Sequence, residues 1–285
     1  MSVVLGSFQR YSFLKMTLNS VRLELAGISH EIIVVDGGST DGSVEWLSKQ
    51  KDVLLILQHN RGQWKGKKVN RRSWGYFMNL GFKTAQGKYV CMISDDCLLI
   101  PGAIINGVSQ FEQASQDIGK IGALAFYWRN WPEQENYVVG LTWGGKMFVN
   151  HGLYLRSALE EVGFADENHY NFYHADGDIC LRMHEAGYKC IDSPKSFVEH
   201  YSHANLAVRS SNIATQQGDW NVYMNRWLPV LGPCRQDWIS IAHTDEHKTA
   251  ARFMTLWTVR LSLFKAKIIQ CKLFLMRWIE NVMQC

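Results

Sequence analysis

Three short apolar runs in this chain each end in a loop that carries glycine or acid, and residues with helical spacing lie between them. Val3-Val4-Leu5 closes on Gly6-Ser7, the run 32–35 closes on Asp36-Gly37-Gly38-Ser39-Thr40-Asp41-Gly42, and the run 89–93 closes on Ser94-Asp95-Asp96. Four consecutive β-branched residues at 32–35, with no polar alternation, fit a strand buried on both faces. Leu14, Leu18, Val21 and Leu25 recur at steps of four, three and four, which places them on one helix face. Residues 44–50 and 74–85 read as further helices, and 53–57 and 121–126 as further strands. Strand and helix alternating at this spacing predict an α/β fold built on a mostly parallel sheet with right-handed crossovers. Ligands of such sheets bind beyond the carboxyl ends of the strands. Three such ends here carry Gly6-Ser7, Asp36 and Asp95-Asp96.

Finer features follow the same logic. Gly87 stands where a helix ending near Ala85 needs a C′ residue, and Pro101 suits the first turn of the next helix. Residues 128–136 are polar and Trp-rich and read as an inserted loop; 138–142 and 147–155 read as strands around Trp143-Gly144-Gly145. Residues 176–186 form a helix stopped by Gly187, followed by strands ending near Asp192 and His200.

Composition limits the function classes. With 47% hydrophobic and 12% aromatic residues, the 285-residue chain has ample material for a core and is not a disordered tract. The net charge of +4 is too small to imply nucleic acid. It is unevenly spread: residues 1–200 hold 20 basic and 21 acidic side chains, residues 201–285 hold 10 and 5. From residue 249 on, Arg252, Arg260, Lys265, Lys267, Lys272 and Arg277 face Glu280 alone, with Trp257 and Trp278 among them. That stretch reads either as an anchor on an acidic membrane surface or as a helical cap or oligomer contact. Seven cysteines without a C-x-x-C pair exclude zinc-ribbon and thioredoxin-like readings and favour a reducing compartment. No signal-peptide pattern and no apolar stretch of about 18–20 residues is present, so a cytoplasmic chain is expected.

Asp95-Asp96 places two carboxylates side by side after a buried strand. Such a pair is either a solvated turn or an oxygen-rich site for Mg²⁺ or Mn²⁺ bridging a diphosphate. Asp176-Gly177-Asp178 opens a helix, where the dipole keeps a carboxylate ionised; one acid suffices for capping, and the other can serve as a general base. His200, at a strand end, can complete a metal site with Asp96 or simply be hydrogen-bonded.

Taken in order, these segments resemble an inverting family 2 glycosyltransferase of the GT-A fold over about residues 2–205. The stretch from Val3 through Gly6, Ser7, Phe8 and Arg10 is similar to that family's first nucleotide-binding strand and loop, and Asp36 begins its signature loop. Asn79-Leu80-Gly81 and Ala85-Gln86-Gly87-Lys88-Tyr89 resemble the helix and turn before the metal strand, and Ser94-Asp95-Asp96 stands at the D-x-D motif. Gly163-Phe164-Ala165-Asp166-Glu167 resembles its G-F-D-E segment, and Asp176 to Arg182 its base helix. The resemblance implies that Phe8 stacks on the base, Asp36 reads the base edge, Asp95 holds the ribose, Asp96 and His200 bind Mn²⁺ or Mg²⁺, and Asp176 is the catalytic base. Arg72, with Arg71 as the alternative, would approach the base or phosphates; Trp143, Gly144, Gly145 and Asp178 would border the donor-sugar and acceptor pocket.

The resemblance further implies a catalytic domain over 1–205, nucleotide-binding to about 100 and acceptor-binding beyond, with a helical basic and aromatic extension over 206–285. The expected partners are a nucleotide-sugar donor, with a lean towards UDP, and a glycan or lipid-linked acceptor for surface polysaccharide. A homo-oligomer and a peripheral place on the inner membrane face fit the same reading. Three departures stand out: Ala175 replaces the usual Glu before the base, Ser94 replaces the first Asp of D-x-D, and Ala165 displaces the Asp of the G-F-D-E segment to Asp166, one position late. Ala175 leaves open a non-catalytic sugar- or nucleotide-binding subunit. A G-x-G-x-x-G, a P-loop and a Gly-rich nucleotidyltransferase loop are all missing.

Overall fold

The structure, a computed structural model, describes residues 1–59, 63–64, 67–131, 134–201, 205–233, 237–241 and 264. In chain order the elements are β1 (Ser2–Ser7), α1 (Tyr11–Glu24), β2 (Glu31–Asp36), α2 (Ser43–Leu47), β3 (Val53–Leu57), β4 (Gln63–Trp64), β5 (Lys67–Lys68), α3 (Trp74–Thr84), β6 (Tyr89–Ser94), β7 (Cys97–Leu99), α4 (Ala103–Asp117) and β8 (Ile121–Asn130). They continue with β9 (Tyr137–Gly140), β10 (Gly152–Leu155), α5 (Arg156–Glu161), α6 (Ala175–Glu185), β11 (Lys189–His200), α7 (Leu206–Ile213), α8 (Gln216–Leu231) and β12 (Trp238–Ile241).

A large mixed sheet runs in the order β12-β9-β8-β10-β6-β1-β2-β3, with β11 added beside β8 and β7. Its core is parallel, β6-β1-β2-β3, while β10 runs antiparallel between β6 and β8. The two-residue period sorts side chains to opposite faces. Val3, Leu5, Ile32 and Val34 pack with Leu14, Leu18 and Val21 of α1 and Ile104 and Phe111 of α4. Val4, Ile33 and Val35 pack with Phe77, Met78 and Phe82 of α3. Both faces are therefore covered, as the unbroken apolar runs require.

Several local expectations need correction. Residues 128–130 are not loop: β8 continues to Asn130, because Trp128, Arg129 and Asn130 pair in parallel register with Val198, Glu199 and His200. The two strands expected before His200 are one strand, β11, whose register shifts between Ser193 and Phe197 around Pro194, a residue that cannot donate to the ladder. Only Gly152–Leu155 of the segment 147–155 is strand. Pro101 precedes the helix rather than opening it; the N-cap of α4 is Gly102, and the Glu24 carboxylate accepts from the backbone N–H groups of Gly102 and Ile104 at 2.7 and 2.9 Å. Gly187 is a true C′ residue with φ +80°. Gly87 is small for another reason: a Cβ there would lie 2.6 Å from the Ser2 backbone nitrogen.

Adjacent to the strand ends, Arg129 and Glu199 form a buried pair across β8 and β11, 2.7 Å apart and 5% and 0% exposed in their side chains. Tyr137 adds an O–H donor to the same carboxylate at 2.5 Å. Helices α7 and α8 and strand β12 pack on this body, β12 pairing with β9. The basic, Trp-bearing stretch foreseen from 249 on lies outside the described residues but for Phe264. Among the described residues no helix is long and apolar enough to cross a membrane.

Candidate active site

The carboxyl ends of β1 and β6 and the far ends of β8 and β11 open on one cavity of about 350 Å³. Gly6, Ser7, Phe8 and Arg10 enter it after β1, Asp95 and Asp96 after β6, His200 from β11, and Asp176 from α6. Arg71 and Arg72 line it from the segment before α3; Trp128 and Asn130 line it from β8. Residues from two distant parts of the chain complete the wall: Asn171 to His174, and Arg209 and Asn212 of α7.

The acidic pair is nearly sealed from solvent, each residue 2% exposed. Asp95 accepts from the Phe8 backbone N–H at 3.2 Å and from Arg10 Nη1 at 2.6 Å. The same Arg10 nitrogen lies 2.9 Å from Asp96 Oδ2. Burial pushes both carboxyls above the usual carboxylate range, and the Arg10 charge opposes that shift. Arg10 bridges the two carboxylates, and Arg209 adds positive field at Asp96. Asp96 Oδ1 has no hydrogen-bond partner and lies 3.5 Å from His200 Nε2. His200 Nδ1 sits 2.8 Å from Asn130 Oδ1, which can only accept. Nδ1 therefore donates towards Asn130, and Nε2 faces Asp96. An orphaned carboxylate oxygen beside an oriented imidazole fits a divalent cation.

Asp176 sits in the first turn of α6, whose N-cap His174 is held at φ +65°, a left-handed conformation that non-glycine residues rarely adopt. Its carboxylate accepts from the Gly177 N–H at 2.9 Å and from Asn150 Nδ2 at 3.2 Å. Burial raises its pKa, with these two hydrogen bonds acting in the opposite direction. The approach to this helix is clamped by Asp219 of α8, which is fully buried. Its carboxylate accepts from the backbone N–H groups of Asn171, Phe172 and Tyr173 at 2.7, 2.9 and 2.9 Å.

Other residues singled out from the sequence lie elsewhere. Asp36 is fully buried and spends its carboxylate on its own loop, accepting from Gly38 and Ser39 N–H and from the Ser39 hydroxyl. It does not line the cavity. Asp178 falls about 200° around the helix from Asp176. It is buried against Arg182, Tyr170 and Trp227, so it braces the fold and does not line this cavity. Trp143 is turned towards α8, its N–H groups donating to the Tyr223 hydroxyl and the Gly232 carbonyl, and Gly144 lies against Leu231. Together with Gly145 this turn stands outside the cavity wall. Asn130, Asn150 and Asp219, which orient the cavity residues, were not foreseen; single polar residues in strand, loop and helix carry no motif.

A parallel-cored sheet flanked by helices, with acids gathered at its strand ends, is the GT-A glycosyltransferase architecture. Residues 2–163 match the sequence profile of glycosyl transferase family 2, and the chain belongs to that family. Solved structures show the same fold. S. aureus TarS 1-349 is similar at 13% identity and TM-score 0.53, over 80% of this chain and 73% of that one. TarS 1-349 in complex with UDP-GlcNAc is similar at 15% identity and TM-score 0.51, over 69% of this chain and 57% of that one. The mannosyltransferase PcManGT from Pyrobaculum calidifontis, in complex with GDP-Man and Mn2+, is similar at 15% identity and TM-score 0.52, over 94% and 79%. No curated protein matches the chain in sequence.

Proposed function

We propose that this family member transfers a sugar, with inversion, from a nucleoside-diphosphate donor to the hydroxyl of a glycan or lipid-linked acceptor. One observation carries the reading: a hydrogen-bond-oriented Asp176 and the Asp95–Asp96–His200 group face the same cavity at the strand ends. The donors named for the solved neighbours, UDP-GlcNAc and GDP-Man, support a nucleotide-sugar donor. Phe8 and the loop braced by Asp36 border the base, Asp95 the ribose, and Arg71 and Arg72 offer positive charge to the phosphates. Asp96 and His200 would hold Mn²⁺ or Mg²⁺, which when bound neutralises charge on the leaving diphosphate.

Asp176 takes the proton of the acceptor hydroxyl as that oxygen bonds to the anomeric carbon. The carbon–diphosphate bond breaks on the opposite face, so configuration inverts and no covalent enzyme intermediate forms. Arg10, partly buried, bridges Asp95 and Asp96 and opposes the rise in their pKa values that burial causes.

Turnover tests this reading: release of nucleoside diphosphate from UDP- and GDP-sugars in the presence of Mn²⁺, followed across pH. A base must be ionised, so the rate falls as pH drops through the pKa of Asp176. Because burial raises that pKa, the acid limb lies above the ordinary aspartate value of about 3.9. Asn150→Leu removes a hydrogen bond to the ionised form and moves the limb to still higher pH. No release from any sugar nucleotide would overturn the reading.

A further inference from the structure

The cation site proposed above has a sulfur donor within reach. Cys97 follows Asp96 directly and stands opposite His200 in the antiparallel pairing of β7 with β11. A carboxylate oxygen of Asp96, the Cys97 sulfur and a ring nitrogen of His200 lie within 4.8 Å of one another. A buried cysteine alone means little, since many are small core hydrophobes. Here two neighbours point to a ligand: Asp96 Oδ1 is buried without a hydrogen bond, and His200 Nε2 lies 3.5 Å from it. Arg10 engages Asp96 Oδ2, which leaves the Oδ1 side for a cation. Behind the sulfur, His151 Nε2 lies 3.2 Å from Cys97 Sγ and 3.3 Å from Ser94 Oγ, and its ring is 1% exposed.

We infer that Cys97 is a ligand of this site, and that the bound cation is therefore a transition metal in preference to Mg²⁺. The inference rests on the cation reading of Asp96 and His200 and deepens it. An oxygen, nitrogen and sulfur donor set suits Co²⁺ or Zn²⁺, whereas Mg²⁺ favours oxygen ligands in near-ideal octahedral geometry and keeps its waters. On binding, the bond formed is cation–Sγ and the bond broken is Sγ–H, whose proton passes to the buffer.

Cobalt tests this without reference to activity. Co²⁺ alone is titrated into the full chain while the near-ultraviolet spectrum and bound metal are recorded together. The expected result is a thiolate-to-cobalt charge-transfer band that saturates with one Co²⁺ bound. Zn²⁺ removes that band at concentrations where Mg²⁺ does not. The band is lost in Cys97→Ser, which still binds Co²⁺ through Asp96 and His200, and it is lost in Asp96→Ala, so the result does not depend on one variant folding. Co²⁺ bound without the band, or a band that survives Cys97→Ser, overturns the sulfur ligand and leaves the cation site standing. Failure of the wild type to bind any Co²⁺ overturns both.

Discussion

Asp176→Asn lowers the rate of sugar transfer by about 10²–10⁴-fold, the range for loss of a positioned general base, and leaves donor binding unchanged. The substitution keeps size and shape. The Gly177 N–H still finds an amide oxygen, and the Asn150 side chain can turn its own oxygen to meet the new NH₂ group. What is lost is the capacity to accept the acceptor proton. A direct displacement assisted by this one base yields product of inverted configuration at the anomeric carbon, read by NMR of the earliest product. Wild-type transfer by the variant, or retained configuration, would remove Asp176 from the mechanism.

Glu199→Ala costs about 3–5 kcal/mol of folding stability, seen as a large fall in the urea midpoint. The pair it breaks is buried: Arg129 donates through Nε and Nη2 to the Glu199 carboxylate, and Tyr137 donates to it as well. Removing the carboxylate takes from a buried guanidinium the counter-charge that Glu199 supplies, which is costlier than never having had the pair. Replacing both partners together, as Arg129→Met with Glu199→Leu, therefore recovers much of the loss. A consequence for the site follows from register. Arg129 faces Glu199 one step before Asn130 faces His200, so the same pair sets the strands that hold the imidazole. A Glu199→Ala protein of unchanged midpoint would contradict this account.

Where the fold was legible in the sequence, a periodic signal carried it. The runs 3–5, 32–35 and 89–93 are continuous apolar stretches and the face of Leu14, Leu18 and Val21 has the 3.6-residue period, and each became the expected element. The boundaries in the second half were hidden because polar and tryptophan residues interrupt the pattern. Trp128 and Asn130 look like loop residues, yet they are the cavity-facing end of a strand whose other face is pinned by Arg129. Reading Ala123, Ala125, Tyr127 and Arg129 as one face would have extended that strand.

Within the site, the residues found from the sequence sit in motifs at strand and helix ends. Those missed act through another side chain: Asn130 on His200, Asn150 on Asp176, Asp219 on the loop 171–173. Such pairs are separated by 70, 26 and 46–48 positions, and no local pattern joins them. Asp36 and Asp178 show the converse. A motif position predicts that a carboxylate is needed there, but packing decides whether it faces a ligand or braces its own loop.

The central claim is a cation-assisted nucleoside-diphosphate site at the strand ends. Its most direct test is calorimetric titration of UDP, GDP, dTDP and CDP, each with and without Mn²⁺, into the wild type and Asp96→Ala. The account predicts that one nucleotide binds tightly, that it does so only with Mn²⁺, and that the folded variant does not bind it. A folded wild type that binds no nucleotide, or binds one with indifference to Mn²⁺ and to Asp96, would contradict it.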